Sequence, residues 1–215
     1  MANDPDSKRL LKVLELLEKE YGDIGTGLKF GSVFRLAVAV ILSAQCTDER
    51  VNKVTKELFK KCRTPKDFAE IPQKELEKLV FSTGFYRAKA RNIKAMTKKV
   101  LEEHNGKLPD SIEELIKLPG MGRKTANVIL GEGFGKIEGI VVDTHVKRLS
   151  NRLGFTKNQN PEKIETDLMG LVPRAQWREI SNVLIWHGRK VCFARKPNCA
   201  GCAVNKLCPS AFRGG

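Results

Sequence analysis

Apolar residues along this chain recur at helical spacing almost throughout. Leu10, Leu11, Leu14 and Leu17 form one stripe, behind Asp6 and Ser7 as expected N-caps. Phe34–Ser43 is apolar on nearly every face, the pattern of a central buried helix. Thr47 is placed to cap a helix whose inner face is Val51, Val54 and Leu58. Shorter helices are predicted after Pro65 and Pro72, because proline is tolerated in a first turn. A long one is predicted over Tyr86–His104, with Ile93, Met96 and Val100 inward and Gly106 just past its end.

Ser111-Ile-Glu-Glu114 reads as a capping box opening a helix that stops at Leu118-Pro119-Gly120. A helix with Ala126, Ile129 and Leu130 on one face is expected from about Arg123. Others are expected over Thr144–Arg152, Pro161–Met169 and Gln176–His187. The one strand-like run, Ile140–Val142, is too short to build a sheet. No internal repeat or long linker interrupts the pattern. The predicted class is all-α.

Charge changes the picture more than composition does. Of 215 residues, 41% are hydrophobic, enough for a packed core, and Lys+Arg 39 against Asp+Glu 25 leaves a net charge of +14. That excess is the footprint of a polyanion binder. After Glu179 the chain has no acidic residue, whereas Arg189, Lys190, Arg195, Lys196, Lys206 and Arg213 all follow it. The longest apolar stretches, Leu36–Leu42 and Val183–Trp186, are far too short to span a bilayer. The N-terminal Met1-Ala-Asn-Asp-Pro-Asp-Ser-Lys8 has no apolar stretch of the signal-peptide kind. The expectation is a soluble cytoplasmic protein with no membrane partner.

Two segments carry candidate chemistry. Cys192, Cys199, Cys202 and Cys208 place four thiols within 17 residues. In a reducing compartment such a group ligates metal, and this spacing suits either zinc or an iron–sulfur cluster. Cys46 and Cys62 lie far away in helical segments and are expected to be small buried hydrophobes. The second segment, Leu115-Ile-Lys-Leu-Pro-Gly-Met-Gly-Arg-Lys-Thr-Ala126, is a helix–turn–helix pattern. Gly120 and Gly122 would let the backbone approach a phosphate, and the following helix would present its free amides to it, with Arg123 beside them. It is not a nucleotide P-loop, because Arg123 interrupts the Gly-Lys-Ser/Thr ending. Lys124 falls in the first helical turn, at the positive end of the helix dipole, a setting that favours a nucleophilic free amine. Asp143 precedes Thr144-His145 and suits both an N-cap and a catalytic carboxylate.

Together these stretches resemble the endonuclease III family of base-excision DNA glycosylases, over nearly the whole chain. Leu42-Ser-Ala-Gln-Cys-Thr-Asp48 is similar to the family's LSAQ-x-TD segment, Leu118–Asn127 to its helix-hairpin-helix, and Val142-Asp-Thr-His145 to its catalytic-Asp segment. The four-cysteine spacing is similar to its 4Fe–4S signature. The resemblance, rather than the spacing, moves the expected cofactor from zinc or iron to a 4Fe–4S cluster. It implies two all-α lobes. A six-helix barrel would cover residues 25–137, and a second lobe, carrying the cluster, would join residues 1–24 to 138–215.

The resemblance also implies roles. Lys124 would be the nucleophile of a bifunctional glycosylase and abasic-site lyase, facing Asp143 across the cleft between the lobes. Gln45 would fill the gap left by an extruded nucleotide, and Phe85 falls where many relatives carry a leucine wedge. Gly120, Gly122, Arg123, Arg195 and Lys196 would contact the DNA backbone. The implied partner is double-stranded DNA carrying damaged pyrimidines or abasic sites, bound by a monomer. Ile116 departs from relatives that carry Glu there, which removes an acidic group from that side. The rival readings are a monofunctional mismatch glycosylase, whose members generally lack the hairpin lysine, and a non-catalytic module with a zinc knob, which would leave Lys124 and Asp143 unexplained.

Overall fold

The structure, a computed structural model, describes residues 4–22 and 24–213. Met1–Asn3, Asp23, Gly214 and Gly215, within the lobe expected over 1–24 and 138–215, lie outside the described residues. The described residues are helices, turns and loops, with no strand among them. No helix among them is long and apolar enough to cross a membrane. The chain divides into two compact units. One is Gly27–Lys136; the other takes the described residues up to Thr26 and from Ile137 onward.

The first unit is built around α2 (Val33–Ser43). Seven of its eleven residues are buried, among them Leu36, Val38 and Leu42, so it is enclosed rather than amphipathic. It packs on α3 (Asp48–Lys61), α6 (Tyr86–His104) and α8 (Arg123–Ile129), while α4 (Pro65–Glu70) and α5 (Gln73–Val80) lie on α6. Thr47 caps α3 by accepting the Arg50 amide, and Thr64 and Asp67 form a reciprocal capping box at α4. Helix α6 ends where Asn105 and Gly106 turn left-handed and the Gly106 amide reaches back to the Val100 carbonyl at 2.9 Å. Phe68 is fully buried, edge-on to Phe34 and Phe59 at centroid distances of 5.5 and 6.4 Å.

In the second unit α1 (Pro5–Tyr21) packs on α10 (Pro161–Leu171) and α11 (Trp177–Lys190), and α11 packs on α9 (Thr144–Arg152). Leu10, Val13, Leu14 and Leu17 meet Ile140, Val146, Leu149, Ile164, Leu168, Ile180 and Leu184 in one core. The cap of α1 differs from the expectation. Asp4, not Asp6 or Ser7, accepts the Ser7 amide, and Pro5 occupies the first turn, which sets the helix start one residue after Asp4. Asp6 instead pairs with Arg9 at 2.8 Å, and Arg9 also donates to the Leu153 and Leu207 carbonyls.

Phe68→Ala should remove the ring that joins α4 to α2 and α3. We expect a loss of about 3–5 kcal/mol in the urea unfolding free energy of the first unit.

Candidate functional site

After α7 (Ile112–Leu115) the chain turns through Leu118-Pro119-Gly120 and enters α8 at Arg123. Buried Leu118 and Met121 pin this turn to the core, while Gly120, Gly122, Arg123 and Lys124 are exposed beside them. The two glycines differ. Gly120 has φ +80°, and a Cβ there would sit 3.0 Å from the Asn92 Cβ on α6, so both backbone and packing require glycine. Gly122 has an ordinary φ of −93° and nothing within 4 Å of where a Cβ would stand. The protein's own packing gives no reason for a glycine there; it leaves room for an outside group. No side chain from Gly122 caps α8, and first-turn amides of such a helix are the groups that bind a phosphate oxygen. Lys124 is the second residue of the helix. At α7 only half of the expected capping box forms: Ser111 accepts the Glu114 amide, while the Glu114 carboxylate holds Lys117.

Gln45 and Phe85 lie on two other loops of the same unit, and both are exposed, Phe85 by 67%. Gln45, just past the end of α2, has φ +52°, and Phe85, the residue before α6, has φ +48°. Neither is glycine, so each holds a left-handed backbone that its neighbours must enforce.

In the second unit Asp143 caps α9. Its Oδ1 accepts both the His145 and Val146 amides, at 2.7 and 2.8 Å. Burial holds the His145 imidazole below its usual pKa, against the pull of the Asp143 carboxylate, which favours a neutral ring.

Cys192, Cys199, Cys202 and Cys208 are all free thiols, partly buried, and line one cavity of about 540 Å³. Two of the sulfurs have N–H donors aimed at them. Arg152 Nη1 lies 3.3 Å from Cys192 Sγ, and His187 Nε2 lies 3.3 Å from Cys202 Sγ. Burial holds His187 neutral, with its pKa pulled down to about 4, and pushes Tyr21 up to about 12. Tyr21 Oη lies 2.7 Å from His187 Nδ1, and an imidazole that accepts there carries its proton on Nε2, beside the sulfur. Burial also raises Cys202 and Cys208, so thiolates there need a positive centre. Among the described residues no three His, Cys, Asp or Glu side chains converge to hold a single metal ion. Arg195 and Lys196 are exposed on the loop between Cys192 and Cys199, with Lys196 left-handed at φ +52°. Two arginines of α9 grip the base of that loop. Arg148 donates to the Cys192 carbonyl at 2.9 Å, and Arg152 to the Phe193 and Ala194 carbonyls at 2.7 and 2.9 Å.

A family profile described as HhH-GPD superfamily base excision DNA repair protein matches residues 38–174. Endonuclease III of Synechocystis sp. is 50% identical over 204 residues, 95% of this chain and 93% of that protein. The chain belongs to the endonuclease III family. Two solved structures, a non-covalent endonuclease III–DNA complex and a trapped endonuclease III–DNA covalent intermediate, are each 41% identical with a TM-score of 0.92. Each match covers 96% of this chain and 97% of the other.

Within this endonuclease III fold, several residues with evident structural work did not stand out in the sequence. Arg148 and Arg152 are an i, i+4 pair on α9, a spacing that puts both on one face. Lys89 stands one turn before Ile93 in the apolar stripe of α6, where a charged residue is out of place. Tyr21 and His187 are 166 positions apart, and no local pattern joins them.

Gly120→Ala should lower the unfolding free energy by about 1–2 kcal/mol, from left-handed strain and the Asn92 contact. Gly122→Ala, which meets neither, should stay within about 0.5 kcal/mol of the parent. Urea titrations of the two variants check the contrast, and DNA affinity should fall for both.

Proposed function

We propose that this chain is a bifunctional DNA glycosylase and abasic-site lyase of base-excision repair. It acts as a monomer on double-stranded DNA carrying oxidised pyrimidines or abasic sites, at the nucleoid of a prokaryotic cell. The observation that carries the reading is Lys124, an exposed amine in the first turn of a helix with no side-chain cap. It stands in a family in which an endonuclease III has been trapped as a covalent intermediate with DNA.

The damaged nucleotide must first leave the stack, because its C1′ cannot be reached inside the duplex; unstacking costs roughly a few kcal/mol. Gln45 takes the vacated space and Phe85 wedges into the stack. Gly120, Gly122, Arg123, Arg195 and Lys196 hold backbone phosphates, which fix register without reading sequence. Lys124 Nζ attacks C1′ with its lone pair, and the bond from C1′ to the base breaks with its electron pair leaving on the base. Opening of the sugar ring gives a Schiff base between Lys124 and C1′. Loss of a C2′ proton then expels the 3′ phosphate by β-elimination, and water releases the amine. Asp143 supports positive charge developing on the sugar or takes the Lys124 proton.

The four cysteines fit a 4Fe–4S cluster. The sulfurs line one cavity, and the Arg152 guanidinium and His187 imidazole beside two of them suit anionic sulfur. When bound, the cluster supplies a four-point cross-link of the chain, and base removal uses no atom of it. Cys192 and Cys199 then fix both ends of the Arg195–Lys196 loop. The mismatch-glycosylase alternative is disfavoured by Lys124 itself.

Lys124→Gln should keep affinity for a duplex with one thymine glycol yet give no borohydride-trapped complex. A robust trapped complex would move the nucleophile elsewhere. Asp143→Asn keeps an equally good N-cap, so the fold should hold while single-turnover strand cleavage drops about 10²-fold or more. Near-normal cleavage would leave Asp143 a cap alone.

Protein purified without oxygen should be yellow-brown with about four irons per chain. Cys202→Ser should lose colour, thermal stability and DNA affinity together. A colourless native protein with stoichiometric zinc would rule out the cluster.

A further inference from the structure

Lys89 lies in the first turn of α6, is 4% exposed, and occupies the buried stripe that continues through Ile93, Met96 and Val100. Its Nζ donates to two backbone carbonyls from distant parts of the first unit, Leu42 at 2.8 Å and Thr83 at 2.7 Å. Both carbonyls belong to helix ends. Leu42 is in the last turn of α2, and Thr83 closes the 3₁₀ turn Phe81–Thr83 that follows α5. The two ends are built alike. Ser43 Oγ donates to the Val40 carbonyl, and Thr83 Oγ1 donates to the Val80 carbonyl, each at 2.8 Å. Two residues beyond Ser43 stands Gln45, and two residues beyond Thr83 stands Phe85. Both are the left-handed, non-glycine residues described above. The Lys89 amide completes the arrangement by donating to the Phe85 carbonyl at 3.0 Å.

We propose that Lys89 is a positioning residue whose ammonium clamps the Gln45 and Phe85 loops into one fixed register for entry into DNA. The proposal rests on the reading that these two residues probe the duplex. The clamp is costly. Burial disfavours the ammonium and pulls its pKa below the usual lysine value. A leucine or methionine would fill an apolar stripe without that penalty. What only the lysine supplies is several donors on one atom, able to serve carbonyls 41 positions apart in sequence. A cation at a helix C-terminus also suits the helix dipole. Left-handed backbone at the non-glycine residues Gln45 and Phe85 is strained, so loops released from the clamp would relax away from it.

The test uses the full-length protein and two duplexes, one undamaged and one with a single thymine glycol opposite a 2-aminopurine reporter. Lys89→Met should remain helical by circular dichroism and bind undamaged duplex within about twofold of the parent, since phosphate contacts are untouched. Its preference for the lesion duplex should fall about tenfold, and the reporter's fluorescence rise on binding should shrink with it. Gln45→Ala and Phe85→Ala should each lose less lesion preference in the Lys89→Met background than in the parent, because residues acting as a unit are not additive. A lysine that only stabilised the fold would lower the melting temperature and leave those effects additive. Lesion preference within twofold of the parent, or additive cycles, would overturn the clamp. Should Lys89→Met not fold, Lys89→Gln, which keeps a donor, carries the same comparison. Loss of folding in both would overturn the proposal too, by making Lys89 a core residue first. If Gln45→Ala and Phe85→Ala in the parent leave lesion preference unchanged, it is the DNA-probing reading that fails.

Discussion

An α-helix leaves four N–H groups at its start and four C=O groups at its end without partners inside the helix. In this chain most of the residues proposed for DNA and chemistry, Arg195 and Lys196 apart, stand where those groups are settled. Gln45 follows the end of α2, Phe85 precedes α6, Gly120–Lys124 form the entry to α8, and Asp143 is the cap of α9. Helix interiors build the two cores, and the ends carry side chains outward on rigid supports. The requirement that each end be satisfied differs from site to site. At α9 a carboxylate does it, at α2 a serine hydroxyl and a lysine, and at α8 no side chain does.

That arrangement explains what the sequence discloses and what it hides. Periodicity marks α6 closely, from about Tyr86 to His104, because left-handed Asn105 and Gly106 stop it by local backbone chemistry. It marks Asp143 as a cap for the same reason. It misplaces the cap of α1, since Asp4, Asp6 and Ser7 all suit the role. Choosing Asp4 depends on Arg9 drawing Asp6 away while itself reaching Leu153 and Leu207, contacts more than 140 positions distant. The π turn Leu130–Phe134, which extends α8, has no pattern of its own and is set by packing against α2. Lys89 falls in the apolar stripe of α6, but no local pattern shows the two carbonyls that the structure puts against its amine.

The C-terminal segment follows the same logic with different partners. Four thiols in 17 residues are readable as a ligand set from spacing alone, because a short loop brings them near one another whatever the rest of the chain does. The donors behind them are not. Arg148 and Arg152 come from α9, His187 from α11 and Tyr21 from α1, so the sulfur environment is assembled from three helices of one unit. Two guanidinium groups also donate to the carbonyls of Cys192, Phe193 and Ala194. They hold the Arg195–Lys196 loop at its base, and on the reading proposed above a cluster on the thiols would hold its two ends. Charges held this way lose little conformational freedom on meeting a phosphate, which a mobile basic tail would lose in full.

Asp143 shows how one side chain serves structure and chemistry at once. Both capping bonds, from the His145 and Val146 amides, converge on Oδ1. Two amide donors on one oxygen fix the plane of the group, so Oδ2 is aimed by the same bonds that start the helix. An asparagine in its place accepts the amides equally well through its single oxygen, but the atom left over is then an NH₂, which carries no negative charge and cannot take a proton. The helix is indifferent to that exchange, whereas a sugar acquiring positive charge is not. On the function proposed above, the carboxylate is required by its second oxygen alone, and the cap is the means by which that oxygen is held still.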